Sequence, residues 1–263
     1  MSYKCKLICC LNKQMKLSFI SNKLNAVRRI RHSDIPIFII SYNQYTYLKS
    51  MIEQLSKYVP LNSIHVLDNN STYPPLVDYL KSVEQIVNVH RFSKNYGSKH
   101  IQNEIPKLTS SDLYIITDPD LEINKHIPSN FIEILLALSE TYKSYKVGFA
   151  LDISNTREDT LFLNKTPKEW ESMYWKNRIN HHKYELYYAD LDTTFCIVNN
   201  KNKGKSIRVA GDFTCIHKPW SKNWFAEIPQ DELEYYKSST KSSCWINTNN
   251  DNLYLIYNNV GVR

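Results

Sequence analysis

Four short apolar runs, each closed by small polar or acidic residues, constrain this chain to an alternating strand-and-helix fold. The first is Ile35-Pro36-Ile37-Phe38-Ile39-Ile40, ending in Ser41-Tyr42-Asn43, after which Tyr47 to Leu55 carries apolar residues at helical spacing. The second, Ser63 to Leu67, leaves through Asp68-Asn69-Asn70-Ser71 and precedes a helix over Pro75 to Leu80 that proline opens. Val87 to Phe92 gives a third strand, and Lys94-Asn95-Tyr96-Gly97 leads from it to a helix over Gln102 to Leu108. The fourth, Leu113 to Thr117, runs into Asp118-Pro119-Asp120. Alternation of this kind predicts a parallel α/β sheet, whose ligands bind beyond the carboxyl ends of the strands. Ser41, Asp68, Lys94 and Asp118 all fall at such ends.

Asp118 and Asp120 are one residue apart. In extended backbone, positions i and i+2 face the same way, so both carboxylates could converge on one hard divalent cation. A second Asp-x-Asp pair stands at Asp190 and Asp192, so the spacing alone is not specific and position must decide. The series Pro36 to Asn43, Val66 to Thr72, Asn95-Tyr96-Gly97 and Thr117-Asp118-Pro119-Asp120 resembles glycosyltransferase family 2. Downstream, Leu191-Asp192-Thr193-Thr194-Phe195, Ile207-Arg208-Val209-Ala210-Gly211 and Thr214-Cys215-Ile216-His217-Lys218-Pro219-Trp220 extend the resemblance over roughly Asp34 to Trp245. It implies a GT-A (Rossmann-like) fold: a mixed, mainly parallel sheet flanked by helices, forming a single catalytic domain over residues 34–263.

The resemblance also implies roles. Asp68 would bind uracil or ribose, with Ser41 and Asn43 lining the same nucleotide pocket. Asp118 would face the ribose and the metal, Asp120 would coordinate Mn²⁺ or Mg²⁺ beside the diphosphate, and His217 would be the third protein contact to the metal. An imidazole nitrogen favours manganese over magnesium. Lys94 or Lys99 would add positive charge where the diphosphate departs. In an inverting enzyme a carboxylate must take the proton of the acceptor hydroxyl; Asp192 is the candidate base and Asp190 its nearest rival, two positions away on what reads as one strand. Other readings stay open. Asp68-Asn69-Asn70-Ser71 is also an ordinary turn, Asp192 could cap the Thr193 and Thr194 backbone, and His217 could be a half-buried histidine with one hydrogen bond. Trp170, Tyr174, Trp175, Trp220 and Trp224 either stack on acceptor sugars or fill core.

The implied partners are a nucleotide-sugar donor, UDP-linked by preference, and a glycan, lipid-linked or protein acceptor. A sugar-1-phosphate nucleotidyltransferase would open with a Gly-rich, Arg-containing loop, and Ser41-Tyr42-Asn43-Gln44-Tyr45 has neither residue. A non-catalytic nucleotide-sugar or carbohydrate-binding protein of the same fold would have little use for Asp118, Asp120, Asp192 and His217 together. With 263 residues, 42% of them hydrophobic, the chain can bury a full core. Charge is uneven. Residues 1–32 hold eight of the 33 Lys and Arg and no acid, leaving 25 basic groups against 26 acidic ones in the rest. This basic arm, residues 1–33, has no apolar run near the roughly 20 residues a membrane span needs. It reads either as a helix lying on an anionic membrane or as a basic helix packed on the domain. No base-reading module accompanies its charge, which argues against nucleic acid as a partner. The six cysteines, Cys5, Cys9, Cys10, Cys196, Cys215 and Cys244, show neither zinc spacing nor a disulfide framework, so the expected location is cytoplasmic, peripheral on a membrane surface only if the arm takes the first of its two readings.

Overall fold

The computed structural model describes residues 35–158, 161–162, 165–222, 224–240 and 254–255, with backbone alone for Ser98, Lys99, Phe225 and residues 161–162 and 254–255. The basic arm lies outside the described residues. In chain order the first half contains β1 (Ile37–Ser41), α1 (Tyr45–Leu55), β2 (Ile64–Asp68), α2 (Pro74–Val83), β3 (Asn88–Arg91), α3 (Gly97–Ile101), α4 (Ile105–Leu108), β4 (Leu113–Thr117) and β5 (Leu121–Ile123). There follow α5 (Phe131–Tyr142), β6 (Lys146–Leu151), β7 (Leu161–Phe162), α6 (Pro167–Ser172), β8 (Arg178–Ile179), β9 (Leu186–Tyr188), β10 (Cys196–Asn199), β11 (Ile207–His217), α7 (Gln230–Ser239) and β12 (Tyr254–Leu255).

The main sheet runs β3-β2-β1-β4-β10-β6-β11-β9-β8, with β5 added to β11. Strands β1 to β4 pair in parallel, as do β6 and β11, while β10 lies antiparallel between β4 and β6. The alternation of runs predicts the parallel half of this α/β sheet, and the whole is mixed and mainly parallel, as the resemblance implies. β1 is buried along its whole length, as a central strand covered on both faces must be. Its alternate residues divide the core. Ile37 and Ile39 pack with Leu48, Met51 and Leu55 of α1, Leu76 of α2 and Phe131 of α5, whereas Phe38 and Ile40 meet Ile101 and Ile105 on the other face. Truncating one such fully buried side chain to alanine costs about 2–5 kcal/mol.

Two local departures have physical causes. The helix expected over Gln102 to Leu108 is broken into a 3₁₀ turn over Gln102–Glu104 and the short α4, whose first turn holds Pro106. That is where a missing N–H is tolerated. At the start of α1, Gln44 supplies no side-chain cap. Instead the buried Glu232 of α7 accepts hydrogen bonds from the Thr46 N–H at 2.9 Å and the Thr46 hydroxyl at 2.6 Å. A carboxylate there satisfies an orphan amide and suits the positive end of the helix dipole.

Two further features place the site. Gly148 of β6 pairs with Cys196 of β10, and a Cβ at Gly148 would overlap Cys196 Cβ and the Phe195 carbonyl. Only glycine lets these strands approach. In β11, Val209 pairs with Phe149 and Thr214 with Ala150, so residues 210–213 leave the ladder, with Gly211 at φ 68°. Beyond this bulge β11 turns from β9 to β5, where His217 pairs with Leu121. A histidine late in the chain thereby comes to lie beside Asp120.

Candidate active site

Asp118-Pro119-Asp120 lies in the turn between β4 and β5 rather than in extended backbone. The two carboxylates take different partners, although the charge of Asp120 still acts on Asp118. Asp118 accepts a very short hydrogen bond from the Thr193 hydroxyl through Oδ2, and its N–H donates to the Thr193 carbonyl at 3.0 Å. Asp120 turns to His217, with Oδ2 3.5 Å from Nε2 and the two side chains 5% and 12% exposed. That separation is too long for a hydrogen bond. Asp120 Oδ1 and His217 Nδ1 are both buried without a hydrogen-bond partner among the described residues, and a buried polar atom left unsatisfied requires an explanation. Burial, followed by the charges of Asp120 and Asp192, holds the Asp118 carboxyl well above the usual carboxylate range. A cation placed among these groups would offset all three burdens at once.

A carboxylate and an imidazole suit Mn²⁺ and, less well, Mg²⁺. Among the described residues no three His, Cys, Asp or Glu side chains converge on one metal position. Asp118, expected as a ligand, is bound by Thr193 and does not complete such a group. Asp120 with His217 is the neighbouring pair whose donor types would suit such a cation.

The residues expected at the nucleotide separate into two kinds. Ser41 and Asp68 are paired neighbours at the ends of β1 and β2. Ser41 is fully buried and its Oγ has no partner, while Asp68 accepts from the Ser71 N–H at 3.0 Å, closing the turn. Asn43 is occupied structurally. Held at φ 51°, it accepts through Oδ1 from the Thr72 and Tyr73 N–H groups at 2.8 and 2.9 Å and donates through Nδ2 to Ser239 Oγ at 3.0 Å. Its side chain fastens the β1 and β2 loops to α7. Lys94 is exposed, its Nζ 4.9 Å from the centre of the Tyr96 ring. Lys99 lies on α3, and its side chain is outside the described set.

Asp190 and Asp192 do not share a strand: they stand in the loop between β9 and β10, both exposed. Asp192 Oδ1 accepts from the Thr194 N–H and hydroxyl, each at 3.2 Å. Crowding around the carboxylate favours its neutral form, yet the Arg208 guanidinium and the Thr194 and Thr193 backbone amides hold it below the ordinary carboxylate range. Asp192 is therefore both a local cap and an ionised group at neutral pH. Sequence reasoning assigned no role to the residues that hold this loop. Arg208, 4% exposed, donates through Nε to the Asp190 carbonyl at 2.9 Å and through Nη1 to Glu171 Oε2 at 2.6 Å, and lies 4.0 Å over the Tyr174 ring. The signal was present: an arginine within a buried apolar strand must have a partner. Lys146 and Thr193 carried no comparable signal.

The aromatic residues mostly fill core. Trp224 is 2% exposed and clusters with Tyr47, Ile228 and Tyr236, with Trp170 and Trp220 packed against them. Trp175 packs on Tyr187, and Trp220 meets His217 edge-on at 4.7 Å between ring centres. A groove of roughly 380 Å³ between α1 and β5, bounded by Ser50, Gln54, Pro119 and Lys218, is lined by none of Ser41, Asp68, Asp118, Asp120, Asp192 and His217.

Neither a described protein family nor a curated protein matches the sequence. Among solved structures, the mannosyltransferase PcManGT from Pyrobaculum calidifontis, in complex with GDP-Man and Mn²⁺, is similar at 10% identity, covering 84% of this chain and 70% of that one, with a TM-score of 0.47. Glucosyl-3-phosphoglycerate synthase from Mycobacterium tuberculosis, in complex with phosphoglyceric acid, is 17% identical over 54% of this chain and 47% of that one, at 0.35. A UDP-glucose pyrophosphorylase complexed with UDP-glucose is 10% identical over 67% and 74%, at 0.33. Sugar transferases and a pyrophosphorylase both occur among these distant likenesses, so any functional reading rests on the site's own geometry.

Proposed function

We propose that this protein is a metal-dependent, inverting glycosyltransferase that moves a sugar from a nucleoside diphosphate, UDP by preference, to an acceptor hydroxyl. The observation that carries the reading is the Asp120 and His217 pair at the carboxyl end of the sheet, each with a buried ligating atom that no group among the described residues satisfies. These two residues would hold Mn²⁺, which when bound stabilises the negative charge that develops on the departing diphosphate. Ser41 and Asp68 would bind the nucleoside. Asp192 would face the acceptor as the base, already ionised under the influence of Arg208, and Asp190 is its rival. A base with a depressed pKa draws a proton weakly, so transfer would be completed only as the hydroxyl attacks the anomeric carbon.

The test is a panel of UDP- and GDP-sugars incubated with the protein, with and without Mn²⁺. Release of the nucleoside diphosphate that requires both the protein and Mn²⁺, and disappears in Asp120→Ala, supports the reading. Release of pyrophosphate from a nucleoside triphosphate and a sugar 1-phosphate would replace it with nucleotidyl transfer, and binding without turnover would make this a nucleotide-sugar-binding protein.

A further inference from the structure

Three successive carbonyl groups in the loop between β9 and β10 are held by cations. Lys146, the first residue of β6, donates through Nζ to the Leu191 carbonyl at 3.1 Å and the Asp192 carbonyl at 2.9 Å, and Arg208 of β11 donates to the Asp190 carbonyl at 2.9 Å. No strand ladder covers these residues, so without the two cations the loop would lack its main restraints. The next residue, Thr193, contacts Asp118 through both its hydroxyl and its carbonyl, and the one after, Thr194, donates to the Asp192 carboxylate. Between residues 190 and 194 a single short segment therefore touches the acceptor-side carboxylate and the donor-side carboxylate in turn. A shift of the loop would move both.

We propose that Lys146 is a positioning residue for this site: with Arg208 it grips residues 190–192, so that the Asp192 carboxylate and, through Thr193, the Asp118 carboxylate are set as one rigid unit. Lys146 touches neither carboxylate of the motif. It acts through the backbone, which explains a lysine at the edge of an otherwise apolar strand, whose following residues Val147 to Leu151 are all buried. The kinetic part of this inference rests on the transferase reading, whereas its structural part does not.

Lys146→Met and Lys146→Arg separate the possibilities, because methionine keeps the stem and removes the donor while arginine restores a donor. Hydrogen exchange should quicken about tenfold or more at the Asp118 and Thr194 amides in Lys146→Met, remain unchanged at Val66 in the distant β2, and return towards the parent in Lys146→Arg. With the UDP-sugar that the parent turns over fastest among UDP-glucose, UDP-galactose and UDP-N-acetylglucosamine, turnover should fall about 10- to 100-fold in Lys146→Met while Mn²⁺-dependent UDP affinity stays within about twofold. Unaltered exchange at both amides would overturn the proposal, as would a fall in UDP affinity that matches the fall in turnover, or no recovery in Lys146→Arg. A parent with no turnover at all would defeat the transferase reading alone, and the exchange measurement would still decide the role of Lys146.

Discussion

Replacing Arg208 by methionine should destabilise the protein strongly, and removing its partner as well should restore most of the loss. The Arg208 and Glu171 side chains are 5% and 4% exposed and meet at 2.6 Å. Burial pushes the Glu171 carboxyl up, and the charge of Arg208 offsets this only in part. Arg208→Met would therefore leave a buried carboxylate that must either stay charged without a partner or take up a proton. Breaking one side of such a pair costs about 3–5 kcal/mol. For a domain of this size, each 1 kcal/mol lowers the melting temperature by about 2–4 °C, so a fall of about 6–20 °C is expected. In Glu171→Leu/Arg208→Met both charges are gone and packing against Tyr174 is retained, and the melting temperature should return to within about 5 °C of the parent. Thermal unfolding followed by circular dichroism measures each value. A single variant that loses less than about 1 kcal/mol, or a double variant as unstable as the single, would refute the claim that an unpaired buried carboxylate is the source of the loss.

Asp192→Asn should fold and bind nucleotide normally yet lose about 10²- to 10⁴-fold in turnover, with Asp190→Asn milder; steady-state kinetics would move the base elsewhere if Asp192→Asn stayed within a few fold of the parent. Burial and then the neighbouring His90, whose Nε2 lies 2.9 Å from His65 Nδ1, hold the His65 imidazole down at about 4 against an ordinary 6.5. The unfolded chain therefore takes up protons first, so stability is full above pH 6.5 and falls by about 1–3 kcal/mol as the pH drops towards 4. His65→Phe, which can pack beside Phe38, should flatten that fall in urea titrations, and an unchanged pH profile would exclude His65 as its cause. Deleting residues 1–32, which carry a charge of +8, should abolish salt-sensitive binding to anionic vesicles, and equal binding by the shortened chain would remove the arm from membrane contact.

Strands β1 to β4 were legible because each is a short apolar run with a polar exit, whereas β5, β6 and β8 to β10 were not anticipated; the address proposed for the site rests on the rule that ligands gather at carboxyl ends. Asp120 and His217 were singled out together and do lie side by side, although the reason they meet was not legible. It lies in the bulge at residues 210–213 and the pairing of His217 with Leu121, a long-range register that no local pattern encodes. The strand argument for Asp118 and Asp120 does not apply as made, because Pro119 and Asp120 sit in a turn, where the two-residue strand period does not hold. Asn43 has a structural task that its residue type did not reveal. Its residue type suits a polar pocket, but a left-handed backbone and four hydrogen bonds from its own N–H and amide group give it a structural task. Lys146 and Thr193 were invisible because their roles run through backbone atoms of distant residues, whose position only the folded sheet determines.

The account depends most on Asp120 and His217 acting together as metal donors. Titration calorimetry of UDP binding, with and without Mn²⁺, on the parent, Asp120→Ala and His217→Ala tests it directly. The parent should bind UDP much more tightly with Mn²⁺ than without, and each variant should lose most of that increment while keeping the parent's weak metal-free binding. An increment that survives intact in both variants, or a parent whose UDP affinity ignores Mn²⁺, would contradict the assignment of the site.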